Sequence, residues 1–190
     1  MDAFVFLRVR PGRVEEVVVD LLASSRVRHA VAVVGDWDVL VATSGADLQA
    51  LATDVLRTIH RIEGVERTLT APVIPADVLG LPAGGIGLGL GATLPMQRTG
   101  DACFVRIRTA TGATTKVFEA LAAMEEIAGV AAVAGDDDLL AEVPYGWEEG
   151  ARVILEQIRA VEGIRSTSTL IAIPSVEPEE EDRDQFSAWS

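Results

Sequence analysis

A chain of 190 residues with 49% hydrophobic content can build real cores, as one domain or as two small ones. The formal net charge of −13 leaves no segment basic, which disfavours direct contact with a phosphate backbone. The single cysteine, Cys103, excludes an internal disulfide, and the start MDAFVFLRVRPG has no basic region leading into an apolar run and cleavage site, so a cytoplasmic setting is expected.

Residues 3–10 alternate: Val5, Leu7 and Val9 share one face of a strand, and Phe4, Phe6, Arg8 and Arg10 the other. Val14, Val17, Val18, Leu21 and Leu22 recur at helical spacing after Pro11 and Gly12, which predicts an amphipathic helix over 13–23. Residues 27–34 and 39–43 read as strands around a Gly35-Asp36 turn. Asp47 caps a second helix running to about His60, and 65–74 is the closing strand. The helices then cover the Val5 face of the sheet, and the Phe4 and Phe6 face must bury against another sheet.

The pattern then repeats. AFVFLRVRPG aligns with ACFVRIRTATG at an offset of 100, matching Phe4, Arg8 and Gly12 with Phe104, Arg108 and Gly112. Val33 to Asp38 matches Val133 to Asp138 at the same offset, and after one deletion Ile62 to Val65 matches Val161 to Ile164. The expected organisation is two βαββαβ units, at 1–75 and 102–174, joined by a Gly-rich apolar linker at 76–101 and followed by an acidic tail at 175–190. The uncharged stretch 78–97 holds six glycines and two prolines, which makes it a poor membrane helix. It reads as a flexible or packed linker, or as a loop that inserts into a partner subunit. The tail carries Glu177, Glu179, Glu180, Glu181, Asp182 and Asp184 and ends in Phe186 and Trp189, consistent with disorder or with a docking peptide.

On the residues AFVFLRVRPG, AVVGDWDVLV and IHRIEGVERTLT, each unit resembles the effector-binding, or RAM, domain of the Lrp/AsnC feast/famine regulators. That resemblance implies an α+β fold of two ferredoxin-like domains, of the dimeric α+β barrel type, paired within one chain. It implies small-molecule binding, an amino acid by preference, at Gly35, Asp36, Trp37 and Asp38, at Gly135, Asp136 and Asp138, and at Thr68, Thr70, Thr167 and Thr169. Chemically, N–H groups freed by a glycine turn hold a carboxylate, an aspartate holds an ammonium, and threonine hydroxyls suit either. The same residues are also ordinary hairpin and strand residues. The second copy has Asp137 where the first has Trp37, so it is the more divergent.

The expected function is a non-enzymatic regulatory module that binds an effector and modulates assembly with itself or with a helix-turn-helix relative of the Lrp type. No cofactor or metal is expected. The run Asp136-Asp137-Asp138 lacks a cation-loop pattern, and alternate residues of a turn point apart. One alternative is a dimeric α+β barrel enzyme, a monooxygenase, isomerase or decarboxylase, with Arg8, Arg10, Arg106 and Arg108 projecting into the barrel. An architectural subunit that joins other proteins is the other. His29 and His60 are the only histidines, and His60 near a helix end fits a structural role. Cys103 is expected buried and inert on the helix side of its strand.

Overall fold

The computed structural model describes residues 1–75, 77–80, 96 and 101–173. Each repeat is strand, helix, two strands, helix and strand. The first contains β1 (Asp2–Val9), α1 (Val14–Leu22), β2 (Val27–Val34), β3 (Val39–Ser44), α2 (Leu48–Arg57) and β4 (Val65–Pro72). The second contains β5 (Cys103–Thr109), α3 (Thr114–Ala122), β6 (Gly129–Ala132), β7 (Leu139–Val143), α4 (Trp147–Arg152) and β8 (Ile164–Ala172). Boundaries follow local chemistry. Asp47 Oδ1 accepts the Ala50 N–H at 2.7 Å, an N-terminal cap for α2. That helix ends at Arg57, short of the expected His60, and Ile59–Arg61 form a separate 3₁₀ turn. In the second repeat α4 continues into a wider, π-type turn over Val153–Gln157.

All ladders are antiparallel, in the order β4-β1-β3-β2-β8-β5-β7-β6. The halves join where β2 meets β8, with Val33 opposite Ala172 and Val34 opposite Ile171. The outermost strands meet in turn through a bridge between Val73 and Val133, where Ile74 N–H donates to Ala132 O and Ala134 N–H to Pro72 O, both at 2.8 Å. The sheet therefore closes into a barrel, which leaves fewer edge groups unpaired. The molecule is an intrachain pseudo-dimer of two ferredoxin-like halves, of the dimeric α+β barrel type.

Three apolar clusters follow from the alternation in the strands. Val5, Leu7 and Val9 pack under α1 and α2 with Val17, Leu21 and Val55. Cys103, Val105 and Ile107 do the same under the second pair of helices. Between the sheets lie Phe4, Phe6, Trp37, Leu40, Phe104, Leu140 and Leu170. Met96 of the connecting segment is also inside, 3% exposed, and its N–H donates to the buried Glu142 carboxylate at 2.6 Å. Among the described residues, the space between the sheets is thus lined by the chain's own apolar side chains. The rest of the linker and the acidic tail lie outside the described residues. Among the described residues no helix is long and apolar enough to cross a membrane.

Candidate functional site

Two hairpin turns and two closing strands carry the residues expected at a ligand site. In both turns the last aspartate has a structural task. Asp38 Oδ2 accepts the Val9 N–H at 2.8 Å, and Oδ1 lies 3.2 Å from Arg8. Asp138 Oδ2 accepts the Thr109 N–H at 2.7 Å and the Thr109 hydroxyl at 3.2 Å. Each thereby pins its turn to the end of the first strand of its own half, using a charge-assisted bond.

The third turn position differs between the halves, and its neighbour on the first strand changes with it. In the first half Trp37 is 5% exposed, tilted against Phe6 with ring centroids 6.1 Å apart, and the Arg67 guanidinium sits 5.5 Å over its face. Trp37 is a core residue here. In the second half the same two positions are Asp137 and Arg106, joined at 2.6 Å. Arg106 also reaches Asp36 of the opposite turn at 2.7 Å and lies 5.0 Å over the Phe6 ring. Of the arginines considered for the barrel interior, Arg106 points inward, its side chain 8% exposed, whereas Arg8 and Arg108 are 43% and 56% exposed. Two carboxylates neutralise Arg106, so it clasps the two turns together and has little charge left for a substrate anion.

The two glycines occupy unequal surroundings. A Cβ on Gly35 would stand 2.8 Å from Leu170 Cδ2 and 2.9 Å from Thr169 O, so the closing strand of the other half seals this turn. Over Gly135 nothing lies within 4 Å of the same point. The first turn has the fuller motif in sequence, yet the second is the open one. Gly135, Asp136 and Asp138 line an open cleft of about 700 Å³ with Arg108, Thr109, Arg165 and Ser166. Its guanidiniums suit a carboxylate and Asp136 suits an ammonium. A recess of about 10 Å³, room for roughly one water, separates the turn from Thr70 and Ala71 of the other half. Turns and closing strands thus meet across the halves, Gly35 with Thr169 and Gly135 with Thr70; Thr167 is half-buried on β8 and lines neither this cleft nor the recess.

Thr68 and Thr70 have a further neighbour. With His60, Leu48, Leu51, Ala52, Val55 and Pro72 they line a largely apolar groove of about 370 Å³ between α2 and β4. His60 Nε2 is 2.6 Å from Thr68 Oγ1. An imidazole hydrogen-bonded to a hydroxyl beside apolar walls can bind an organic molecule and move a proton to or from it. Sequence reasoning gave His60 a structural role because its partner lies across a 3₁₀ turn, visible only once α2 and β4 are placed together. The Thr-x-Thr pattern was the available signal.

Burial pushes the Cys103 thiol above its ordinary range, and the Asp101 carboxylate adds to the shift; this side chain faces the helices, away from either cleft. On the surface Lys116 holds Glu162 below the usual carboxylate range, by a hydrogen bond first and by its charge second. Among the described residues no group of three or more His, Cys, Asp or Glu is placed to hold a metal ion.

The family profile described as Lrp/AsnC ligand binding domain matches residues 2–76 and 102–181. Among solved structures, the siroheme decarboxylase NirDL aligns over 90% of this chain and 71% of its own, at 13% identity and a TM-score of 0.66. The same enzyme in complex with an iron-uroporphyrin III analogue aligns over 90% and 70%, also at 13% identity, with a TM-score of 0.63. A double mutant of chlorite dismutase from Candidatus Nitrospira defluvii aligns over 91% of both chains at 14% identity and a TM-score of 0.51. No curated protein matches the sequence. These findings correct the expectation of a non-enzymatic regulatory module. The solved structures named here, which align over about nine-tenths of the chain, are enzymes, and they share its fold, two repeats in one polypeptide building one barrel. A resemblance judged one repeat at a time sees only the half.

Proposed function

We propose a function from the premise that this chain belongs to the Lrp/AsnC ligand binding domain family, and carries that domain twice. Small-molecule binding and self-association are general to such a domain. The finer reading is a dimeric α+β barrel enzyme that acts on a carboxylate-bearing organic molecule, as a decarboxylase, in the groove between α2 and β4. The observation that carries it is the His60 and Thr68 pair, 2.6 Å apart at an apolar groove of about 370 Å³. That volume lies at the small end for organic ligands, so the groove takes a small acid whole or one edge of a larger ring system. The decarboxylase named above and its tetrapyrrole analogue support this substrate class.

The chemistry follows from the walls. Leu51 and Val55 form a buried apolar floor against which a bound acid gives up part of its hydration, and a partly desolvated carboxylate is raised in energy relative to a transition state whose charge is spread. The carbon–carboxyl bond breaks, CO₂ leaves, and the electron pair stays on carbon. His60 gives a proton to that carbon, while Thr68 orients the ring. The cleft at Gly135 is the place for an amino-acid ligand, the class expected from the sequence.

The test is CO₂ release from a panel of carboxylic acids that includes uroporphyrin-type tetrapyrroles. The expected result is turnover of at least one member, reduced about 10²- to 10⁴-fold in His60→Gln with the fold intact. Turnover of none, or turnover indifferent to His60→Gln, overturns the reading.

A further inference from the structure

Alternate residues of a strand share a face, so β7 turns both Leu140 and Glu142 toward the space between the sheets. Leu140 suits that space by its chemistry. Glu142 does not, yet it is only 1% exposed. Burying a carboxylate is far costlier than burying a methyl group unless a donor meets it. The internal two-fold shows that the barrel has no architectural need for this acid. Glu142 lies opposite Phe104 on β5, and at the same register in the first half Ala42 lies opposite Phe4. Met96 meets the carboxylate: its N–H donates to Glu142 Oε2 at 2.6 Å, and its side chain packs between the sheets. Its φ is +70°, and among the described residues it is the only non-glycine with a positive φ. The chain therefore holds a strained backbone at the point where it delivers this N–H. Met96 also lies outside both stretches matched by the family profile, 2–76 and 102–181. The domain supplies the buried acid, and a residue foreign to the domain is seated against it.

We propose that Glu142 and the apolar space beside it form a binding site for a small organic ammonium with an unbranched apolar chain, a site that Met96 occupies as an internal stand-in. Met96 presents what such a ligand presents, an N–H with a flexible, unbranched apolar chain attached to the next atom. An ammonium is the better match. It brings positive charge to a carboxylate in a dry setting, where charge-assisted hydrogen bonds are the strong ones. Phe104 and Leu140, neighbours on the same inner face, offer apolar walls to the chain. Displacing Met96 also releases its left-handed backbone, so the exchange recovers strain. The site shares no residue with the groove at His60 and stands whatever that groove does.

Methionine oxidation reads the exchange in the full parent chain, whose three methionines are Met1, Met96 and Met124. Met1 is 48% exposed, Met124 is partly buried and Met96 is 3% exposed, which makes a graded set. Under dilute peroxide Met1 is expected to oxidise first and Met96 last, as followed by peptide mass spectrometry. Hexylammonium is expected to speed oxidation of Met96 severalfold and to leave Met124 unchanged. Hexanol, the same chain without the charge, should leave Met96 protected. Glu142→Gln keeps an oxygen for the Met96 N–H but removes the charge, so in that variant hexylammonium should change nothing. Calorimetry on Met96→Gly gives a second readout: glycine suits the positive φ and vacates the side-chain space, so hexylammonium should bind at least about tenfold more tightly than to the parent. The assignment is overturned if Met96 oxidises as readily as Met1 without any amine, or if hexylammonium leaves it protected. Equal acceleration by hexanol, in Glu142→Gln or at Met124 overturns it too, as does equal affinity in Met96→Gly and the parent.

Discussion

Gly35 and Gly135 have equivalent places in the two repeats and opposite surroundings, which makes them the sharpest residue-scale probes. Gly35→Ala forces a Cβ to within 2.8 Å of Leu170 at a φ of +154°, so it is expected to cost about 1–3 kcal/mol. Gly135→Ala meets open space and carries only the backbone penalty of a φ of +136°, about 1 kcal/mol. Chemical unfolding of both variants checks the order. Cys103 adds a pH dependence. The folded chain keeps the thiol proton above the ordinary value of 9.0, so the unfolded chain loses it first as pH rises. Stability from this source is complete below that value and declines above it. Denaturation midpoints at about pH 7.5 and about pH 10 should therefore fall more in the parent than in Cys103→Ala. Much at this scale was legible in sequence: the glycine turns and the burial of Cys103. Trp37 was not, because a turn pattern does not say whether the ring faces solvent or the space between two sheets.

At the scale of elements, alternation and helical spacing located the strands and helices to within a few residues, and they placed Phe4 and Phe6 on the sheet-facing side. They could not reveal that β4 and β8 close against the turns of the opposite half, since that pairing depends on contacts far apart in sequence. One trace of it was present in the alignment of the repeats, where Phe6 with Trp37 becomes Arg106 with Asp137. Each pair links the first strand to the following turn, one by aromatic contact and the other by an ion pair. Removing Arg106 strips the nearly buried Asp137 of its 2.6 Å partner and leaves it only Arg108 at 3.5 Å, so Arg106→Ala is expected to cost about 3 kcal/mol. Asp36 is half-exposed and can turn to water, which keeps the loss at the low end of that class. The double variant Arg106→Phe with Asp137→Trp rebuilds the aromatic pair of the first half and should recover most of that stability. Unfolding curves that show no recovery would mean that the two pairs are not interchangeable ways of locking strand to turn.

The whole molecule is held together mainly by what lies between the sheets. Its two seams are short, two residue pairs between β2 and β8 and one bridge between Val73 and Val133. Each half alone would expose its interior face, Phe4, Phe6 and Trp37 in one and Phe104, Leu140 and Leu170 in the other, and must find a partner to cover it. Position 6 of the first half and its counterpart 106 meet near the pseudo-two-fold axis, with the guanidinium 5.0 Å over the ring. A symmetric pair of second halves would bring two Arg106 side chains, each held by its own Asp137 at 2.6 Å, into the space that one guanidinium and the Phe6 ring now share, so two desolvated ion pairs would have to be buried side by side. A symmetric pair of first halves would bring two phenylalanines together, which is tolerable. Fragments 1–80 and 96–190 produced separately should therefore form a one-to-one complex on mixing. The second alone should stay unpaired or aggregate, and the first alone should self-associate weakly. Native mass spectrometry distinguishes these states. Replacing Arg106 by Phe together with Asp137 by Trp should then let the second fragment pair with itself, because the buried ion pairs that disfavour it have gone; if the parent fragment already dimerises as readily as the mixture forms, Arg106 does not set the pairing.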